Sequence, residues 1–169
     1  WAHENKERFE DGVLWANAAN DPAMVAEQWA AAFEYDFRGI AKIEDRLLAL
    51  RDLLSKKQAL IIIDDVEVAA RVKPLIPTEG SSVVVFTTRN VEMAYALGAE
   101  LFNLDVLTSL NGSSLLSSII GQARVQNEQV AADDICQALQ NLPLALAIAG
   151  QYLVSRPKRR LATFLRRLQ

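Results

Sequence analysis

Two apolar runs in the chain end abruptly in residues that could bind a metal ion and phosphate. The runs read LIIIDDV and VVVFTTR, and their polar ends supply two carboxylates, two hydroxyls and a guanidinium: Asp64, Asp65, Thr87, Thr88 and Arg89. In open parallel α/β sheets, functional groups collect at the carboxyl ends of the strands. If the two runs are neighbouring strands, these five side chains face one crevice.

The chemistry that such a crevice suits is phosphoryl transfer. Carboxylate oxygens fit Mg²⁺, which prefers oxygen ligands and keeps several waters. The guanidinium of Arg89 offers a planar fork of donors to phosphate oxygens. One acid would hold the metal, a second would orient water, and the arginine would contact the terminal phosphate. An aspartate at a strand end also commonly forms a turn or caps the next helix, and that alternative stays open.

Periodicity and capping residues predict the elements that position these side chains. The uninterrupted apolar residues 60–63 are typical of a strand covered on both faces. We predict strands at residues 13–16, at 60–63, from residue 83 onward and, more weakly, at 101–104. We predict the end of a helix within residues 1–10 and further helices at about 23–33, 43–57, 67–73 and 90–97.

Beyond residue 104 the chain shows only helical patterns, at about residues 110–122, 127–140, 144–154 and 160–168. Alternation of strands with helices in the preceding part implies a parallel sheet. The predicted fold class is therefore α/β, with a parallel-sheet domain at residues 1–105 followed by a small helical subdomain at residues 106–169.

Composition excludes several classes of function. The single cysteine, Cys136, and the single histidine, His3, cannot form a Cys/His metal cluster or a histidine-based triad. No apolar run is long enough to span a membrane, so no membrane partner is expected. One cysteine fits a reducing compartment, and we expect a cytoplasmic protein.

The charge is distributed unevenly along the chain. Residues 156–169 contain six basic residues and no acid, leaving 12 basic and 21 acidic residues elsewhere, a net charge of −9. A basic tail on an acidic body could contact nucleic acid or an acidic protein surface. A solvated helix end explains the same pattern more simply, and we do not expect a nucleic-acid partner.

Four segments in order, FEDGVLWA, LIIIDDV, VVVFTTRN and NLPLALAIAGQYL, resemble the NB-ARC domain. That domain is the nucleotide-binding switch of the STAND class of P-loop NTPases. Its members include plant disease-resistance proteins, apoptotic protease-activating factors and bacterial multidomain regulators. The resemblance covers about residues 9–153 and implies a P-loop NTPase-like parallel sheet.

The resemblance implies a role for each strand-end residue. Asp64 matches the Walker B acid that positions Mg²⁺, and Asp65 matches the neighbouring acid that helps to polarise the attacking water. Arg89 matches the sensor arginine that reads the terminal phosphate, with Thr88 beside it as a nucleotide-binding residue.

The resemblance also extends to the helical subdomain. Pro143 matches the proline of the GLPL-type motif, which packs near adenine at the start of a helix. Asn141 stands where that motif usually has glycine. A purely structural first-turn proline is an open alternative for Pro143.

The P-loop, GxxxxGK[ST], is missing, because no glycine in these 169 residues is followed by lysine. Its amides and lysine would cradle the phosphates. The resemblance places that loop just before residue 1, and its strand between those at 83 and 101, so we expect a sheet that is incomplete at its N-terminus. Residues 1–169 alone are therefore predicted to bind nucleotide weakly or not at all.

The resemblance implies part of a switch operated by ATP and ADP with Mg²⁺. ADP would hold the switch closed, and ATP would release it to self-associate and to act on other domains of the parent chain. At most, a slow Mg²⁺-dependent ATPase is expected, and only in the full-length protein. A non-catalytic interaction or scaffold module that has lost nucleotide binding is the main alternative, and a DNA-binding regulator is a third.

Overall fold

In the computed structural model, which describes residue 2 and residues 4–168, the chain forms a three-stranded parallel sheet and nine α-helices. The chain divides into two compact units, the first ending at Leu101 and the second beginning at Phe102. The sequence predicts this boundary after residue 105. The sheet lies in the first unit, and the second is helical throughout.

The first unit alternates strands with helices. Its elements are β1 (Val13–Asn17), α1 (Pro22–Ala32), α2 (Ile43–Ser55), β2 (Leu60–Asp64), α3 (Ala69–Val72), β3 (Val83–Phe86) and α4 (Val91–Leu97). The strand order is β1-β2-β3 and both pairings are parallel, with Trp15 beside Ile62 and Ile62 beside Val85. The predicted adjacency of the LIII and VVVF strands is confirmed.

Side-chain caps set the helix starts that the sequence indicated. Asp21 precedes α1 and its carboxylate accepts a hydrogen bond from the Ala23 amide at 2.8 Å, with Pro22 at the first helical position. Asn90 caps α4 in the same way, accepting from the Glu92 amide at 2.9 Å. Each cap satisfies a backbone donor that the first helical turn leaves without a partner.

Helices of the first unit pack against one face of the sheet. Ile61 and Ile63 of β2 are fully buried there, together with Trp29 of α1 and Leu54 of α2. On the opposite face of β2, Leu60 is also buried but Ile62 is only half-buried, so the prediction of a strand covered on both faces is confirmed in part. That face carries exposed apolar residues on both outer strands: Val13, Trp15, Val83 and Val85.

The weak strand predicted at residues 101–104 is also wrong. This segment has no regular structure, and Phe102 and Leu104 are 84 % and 87 % exposed. An apolar run becomes a strand only when a neighbour pairs with its backbone, and none of the described strands does so. The helix end predicted at residues 1–10 reduces to a 3-10 turn at Lys6–Arg8, while Trp1 and His3 lie outside the described residues.

The second unit contains α5 (Ser109–Ile120), α6 (Gln122–Asn127), α7 (Gln129–Ala138), α8 (Pro143–Val154) and α9 (Leu161–Leu165). The helix predicted at about 127–140 is observed as α7, whereas α6 was not predicted; the backbone bends at Glu128 between the two helices. The Glu128 carboxylate instead accepts hydrogen bonds from the amides of Leu161 and Ala162, at 3.0 and 3.3 Å, and so caps α9. The predicted helix at 160–168 is correspondingly shorter.

The core of the second unit includes Cys136, which is buried. Burial raises the pKa of its thiol above the usual value, because the thiolate would lose hydration. This environment fits the packing role that its helical spacing suggested.

One arginine, Arg124, holds the basic segment after α8 in place through hydrogen bonds to its backbone. The guanidinium of Arg124 donates to the carbonyl oxygens of Leu153, Arg156 and Arg159, at 2.8, 3.1 and 2.7 Å. Arg156 and Arg159 both lie against the ring of Tyr152. Part of the positive charge near the end of the chain is therefore engaged in local structure.

None of the helices in the described part of the chain has both the length and the apolar composition needed to cross a membrane.

Candidate functional site

The carboxyl ends of β2 and β3 bring five polar residues together: Asp64, Asp65, Glu67, Thr87 and Arg89. We call this group the strand-end cluster. Two of its members follow β3 and three come from the end of β2 and the loop after it. The sequence prediction that the acidic pair and Arg89 share one sheet edge is confirmed in its geometry.

Asp64 is held in place by Thr87. The hydroxyl of Thr87 donates to Oδ1 of Asp64 at 2.6 Å and accepts from the backbone amide of Asp65 at 2.9 Å. Asp65 itself has φ of 58°, a left-handed conformation that is uncommon for residues other than glycine but is best tolerated by aspartate and asparagine. The chain therefore turns sharply just after β2, and Thr87 bonds both residues at the turn.

Val66 joins the two loops on the far side of this turn. Its side chain is buried, its amide donates to the Thr87 carbonyl at 2.8 Å, and its own carbonyl accepts from the Thr88 hydroxyl at 2.7 Å. The segments 64–67 and 87–89 thus continue the β2–β3 pairing beyond the strands. Hydrogen bonds connect the two segments to each other after the sheet ends.

Arg89 sits between two carboxylates. Its Nη2 atom lies 2.9 Å from Oε1 of Glu67 and 3.5 Å from Oδ1 of Asp65. The side chains are exposed, by 81 % for Arg89, 71 % for Glu67 and 50 % for Asp65. An incoming anion can therefore reach the guanidinium from solvent.

Thr88 is turned toward the backbone. Besides donating to Val66, its hydroxyl accepts from the Asn90 amide at 3.1 Å, just before α4 begins. These contacts give Thr88 a structural role at the loop, and its nucleotide contact stays a prediction.

The oxygen donors of the cluster suit a hard cation. Asp64 presents a carboxylate whose orientation is set by one hydroxyl, and Mg²⁺ is commonly held by one or two carboxylates with phosphates and waters. Within the residues described, no group of three or more His, Cys, Asp or Glu side chains is placed to hold a metal ion. A site of the Mg²⁺–phosphate kind does not require such a group.

Pro143 lies in the second unit, at the first position of α8, and its side chain is exposed. Two residues earlier, Asn141 has a left-handed backbone with φ of 53°, and its buried Oδ1 atom has no hydrogen-bond partner among the described residues. Glycine adopts that conformation more easily. The structure therefore explains why glycine suits this position, and the adenine contact of Pro143 remains a prediction.

The sequence does not predict Glu67 as a site residue, and it indicates Thr87 only as one of two hydroxyls at the strand end. Both could have been given weight from their spacing, because Glu67 follows Asp65 by two residues and Thr87 is the first residue after β3. Which of two adjacent threonines faces the acid depends on where the strand ends, and that is visible only in the structure.

A separate cavity of about 770 Å³ lies beside the loop between α1 and α2. Its charged lining is largely self-paired, since Arg46 bonds Glu27 at 2.6 Å and Arg38 pairs with Asp36. The backbone amide and guanidinium of Arg38 lower the pKa of the Asp36 carboxyl. None of the strand-end residues lines this cavity.

Comparison with known proteins links this α/β chain to proteins of regulation. No protein-family model matches it. Regulatory protein AfsR of Streptomyces coelicolor is 32 % identical over 164 residues, and Regulatory protein AfsR of Streptomyces griseus is 32 % identical over 163 residues. Each alignment covers 92 % of this chain but 16 % of the relative, so the chain spans about one sixth of the length of these regulators.

Proposed function

We propose that the chain is the nucleotide-binding part of an NB-ARC-type signalling switch with a P-loop NTPase-like fold. ATP or ADP, with Mg²⁺, would control self-association and the activity of other domains in the same protein. The observation that carries this proposal is the pairing of Arg89 with Asp65 and Glu67 at the sheet edge that also holds Asp64. The similarity to regulatory proteins supports the signalling role.

In this proposal four residues of the cluster have distinct tasks. Asp64, oriented by Thr87, holds the metal ion, which supplies positive charge to the phosphates when it is bound. Asp65 orients a water molecule, and Arg89 contacts the terminal phosphate. The exposure of Arg89 supports this, because its guanidinium can exchange one anionic partner for another.

These 169 residues contain no Gly-Lys pair, so in this proposal the phosphate-cradling loop is supplied by another part of the protein. The proposal therefore concerns the full-length protein. Any hydrolysis there would be slow, and the nucleotide would act by binding two arrangements of the protein with different affinity. Pro143 at the start of α8 would contact the adenine and make the helical unit sensitive to the ligand.

The test is the substitution Asp64→Asn in the full-length protein. It removes the charge that would hold Mg²⁺ and keeps the shape of the side chain, so Mg²⁺-dependent ATP binding should weaken by about tenfold or more. Isothermal titration calorimetry with and without Mg²⁺ measures this loss. Asp45→Asn, at an exposed acid on α2, makes the same charge change and serves as the control.

Two results would count against the proposal. Unchanged Mg²⁺-dependent binding in Asp64→Asn would remove this residue from the site. A wild-type full-length protein that binds neither ADP nor ATP would instead favour the non-catalytic scaffold.

A further inference from the structure

The exposed guanidinium of Arg89 forms ion pairs with carboxylates of the same cluster. Its Nη2 atom is closer to Glu67, at 2.9 Å, than to Asp65, at 3.5 Å. Glu67 therefore makes the shorter of the two ion pairs, although none of the roles assigned so far uses it.

The loops present Glu67 and Arg89 to each other by backbone geometry. Three hydrogen bonds connect the segments just before them: Asp65 amide to Thr87 hydroxyl, Val66 amide to Thr87 carbonyl, and Thr88 hydroxyl to Val66 carbonyl. Glu67 and Arg89 each come one residue after the last of these hydrogen-bonded residues, Val66 and Thr88. Their meeting is thus fixed by the same bonds that fix the acidic pair.

We infer that Glu67 is a positioning residue that occupies Arg89 in the absence of a terminal phosphate and is exchanged for that phosphate when ATP binds. This inference rests on the proposed function and adds a regulatory element to the same site. A guanidinium makes charge-assisted bonds to carboxylate or phosphate oxygens alike, so the exchange replaces one strong partner by another. Glu67 would then lower the affinity for ATP relative to ADP and set the threshold at which the switch turns on.

The size of the effect follows from exposure. Both side chains are largely solvent-exposed, and exposed ion pairs of this kind change an equilibrium by about fivefold at most. Such a pair is weak enough for a phosphate to displace it. It is nevertheless strong enough to shift the preference between two nucleotides measurably.

The experiment is Glu67→Gln in the full-length protein, with dissociation constants measured for ATP and ADP in the presence of Mg²⁺. We expect affinity for ATP to rise by about two- to fivefold and affinity for ADP to stay unchanged, because only ATP brings the phosphate that Arg89 contacts. The gain should shrink at high salt, where screening already weakens the pair. Glu79→Gln makes the same charge change at an exposed residue near the opposite end of β3, and it should leave both affinities unchanged.

A second variant tests whether the effect passes through Arg89. In an Arg89→Gln background, Glu67→Gln should have no effect on the ratio of ATP to ADP affinity. An equal rise for both nucleotides, or a persistent effect without Arg89, would overturn the role of Glu67 while leaving the proposed switch intact. Failure of the wild-type protein to bind any nucleotide would overturn both.

Discussion

Asp64 owes its orientation to one hydroxyl. Thr87 donates to Asp64 Oδ1 at 2.6 Å while accepting from the Asp65 amide at 2.9 Å, so a single side chain fixes the first acid and the turn after it. A hydrogen bond to a charged group contributes more than a neutral one, although exposure to water reduces the gain. Thr87 therefore supports the geometry of the acidic pair without being one of the groups predicted to contact the ligand.

Replacing Thr87 by valine tests this support. Thr87→Val keeps the shape and removes both hydrogen bonds, so the free energy of unfolding should fall by about 1–2 kcal/mol. Urea denaturation of the 169-residue chain measures the change. Thr87→Ser retains the hydroxyl and should recover most of the stability, whereas Thr78→Val, at an exposed loop residue, should have little effect. A loss of stability in Thr87→Ser without a loss in Thr87→Val would show that the methyl group, not the hydroxyl, matters.

For individual residues, the sequence predicts where strands end better than it predicts the side-chain contacts in the loops that follow. Asp64, Asp65 and Arg89 could be predicted to meet because each follows an apolar run, and parallel strands end at one sheet edge. The approach of Glu67 to Arg89 depends on the left-handed turn at Asp65. A residue that adopts such a backbone conformation cannot be identified reliably from its type alone.

Among the helices, α5 and α8 approach each other closely at a glycine. A Cβ atom built on Gly150 of α8 would lie 2.7 Å from Cγ2 and 3.1 Å from Cβ of Ile119 of α5. Ile119 is β-branched and strongly prefers one χ1 rotamer in a helix, so its Cγ2 atom does not easily rotate away. The absence of a side chain at residue 150 therefore permits this packing.

Gly150→Ala should destabilise the second unit although alanine is the better helix former. Overpacking costs about 1–3 kcal/mol, against a helix-propensity gain of about 1 kcal/mol. Thermal unfolding followed by circular dichroism measures the net loss. The cost should be smaller in an Ile119→Ala background, where the nearest atom is gone, and the double-mutant cycle gives the coupling. A stabilising effect of Gly150→Ala in the otherwise unchanged chain would contradict the close approach.

Helices and strands with a local signal were predicted correctly, whereas segments that depend on distant partners were missed or predicted wrongly. Residues close together in the chain are enough to indicate the caps at Asp21 and Asn90 and the apolar stripe of α2. The break at Glu128 is different, because its carboxylate is used by amides more than thirty residues away in the chain. The segment 101–104 likewise needed a pairing strand that none of the described elements supplies.

At the scale of the whole molecule, the sheet of the first unit has one face packed against helices and one face with exposed apolar residues. One side of the sheet buries Ile61, Ile63 and Trp29, while the other leaves Trp15 54 % and Val85 47 % exposed. In the described chain, β3 pairs with β2 alone. The residues of the strand-end cluster therefore bond to one another, but they lie at the carboxyl ends of the strands of a small sheet and are accessible to solvent.

This arrangement predicts that residues 1–169 alone bind nucleotide poorly. The cluster offers an exposed arginine and carboxylates, and each exposed ionic contact contributes little in water. The amides and lysine of a phosphate-binding loop, which do most of the phosphate binding in the proposed class, are not in the sequence. We therefore expect a dissociation constant for ADP with Mg²⁺ weaker than about 1 mM, equivalent to roughly −4 kcal/mol.

Calorimetric titration of the isolated chain with ADP and Mg²⁺ measures this directly. A cooperative unfolding transition under the same conditions must first show that the chain is folded, since an unfolded sample would also fail to bind. The full-length protein, titrated in parallel, is the positive control and should bind far more tightly. Micromolar affinity in the isolated chain would mean that the exposed cluster binds phosphate without a P-loop, and the division of labour proposed between this chain and the rest of the protein would be wrong.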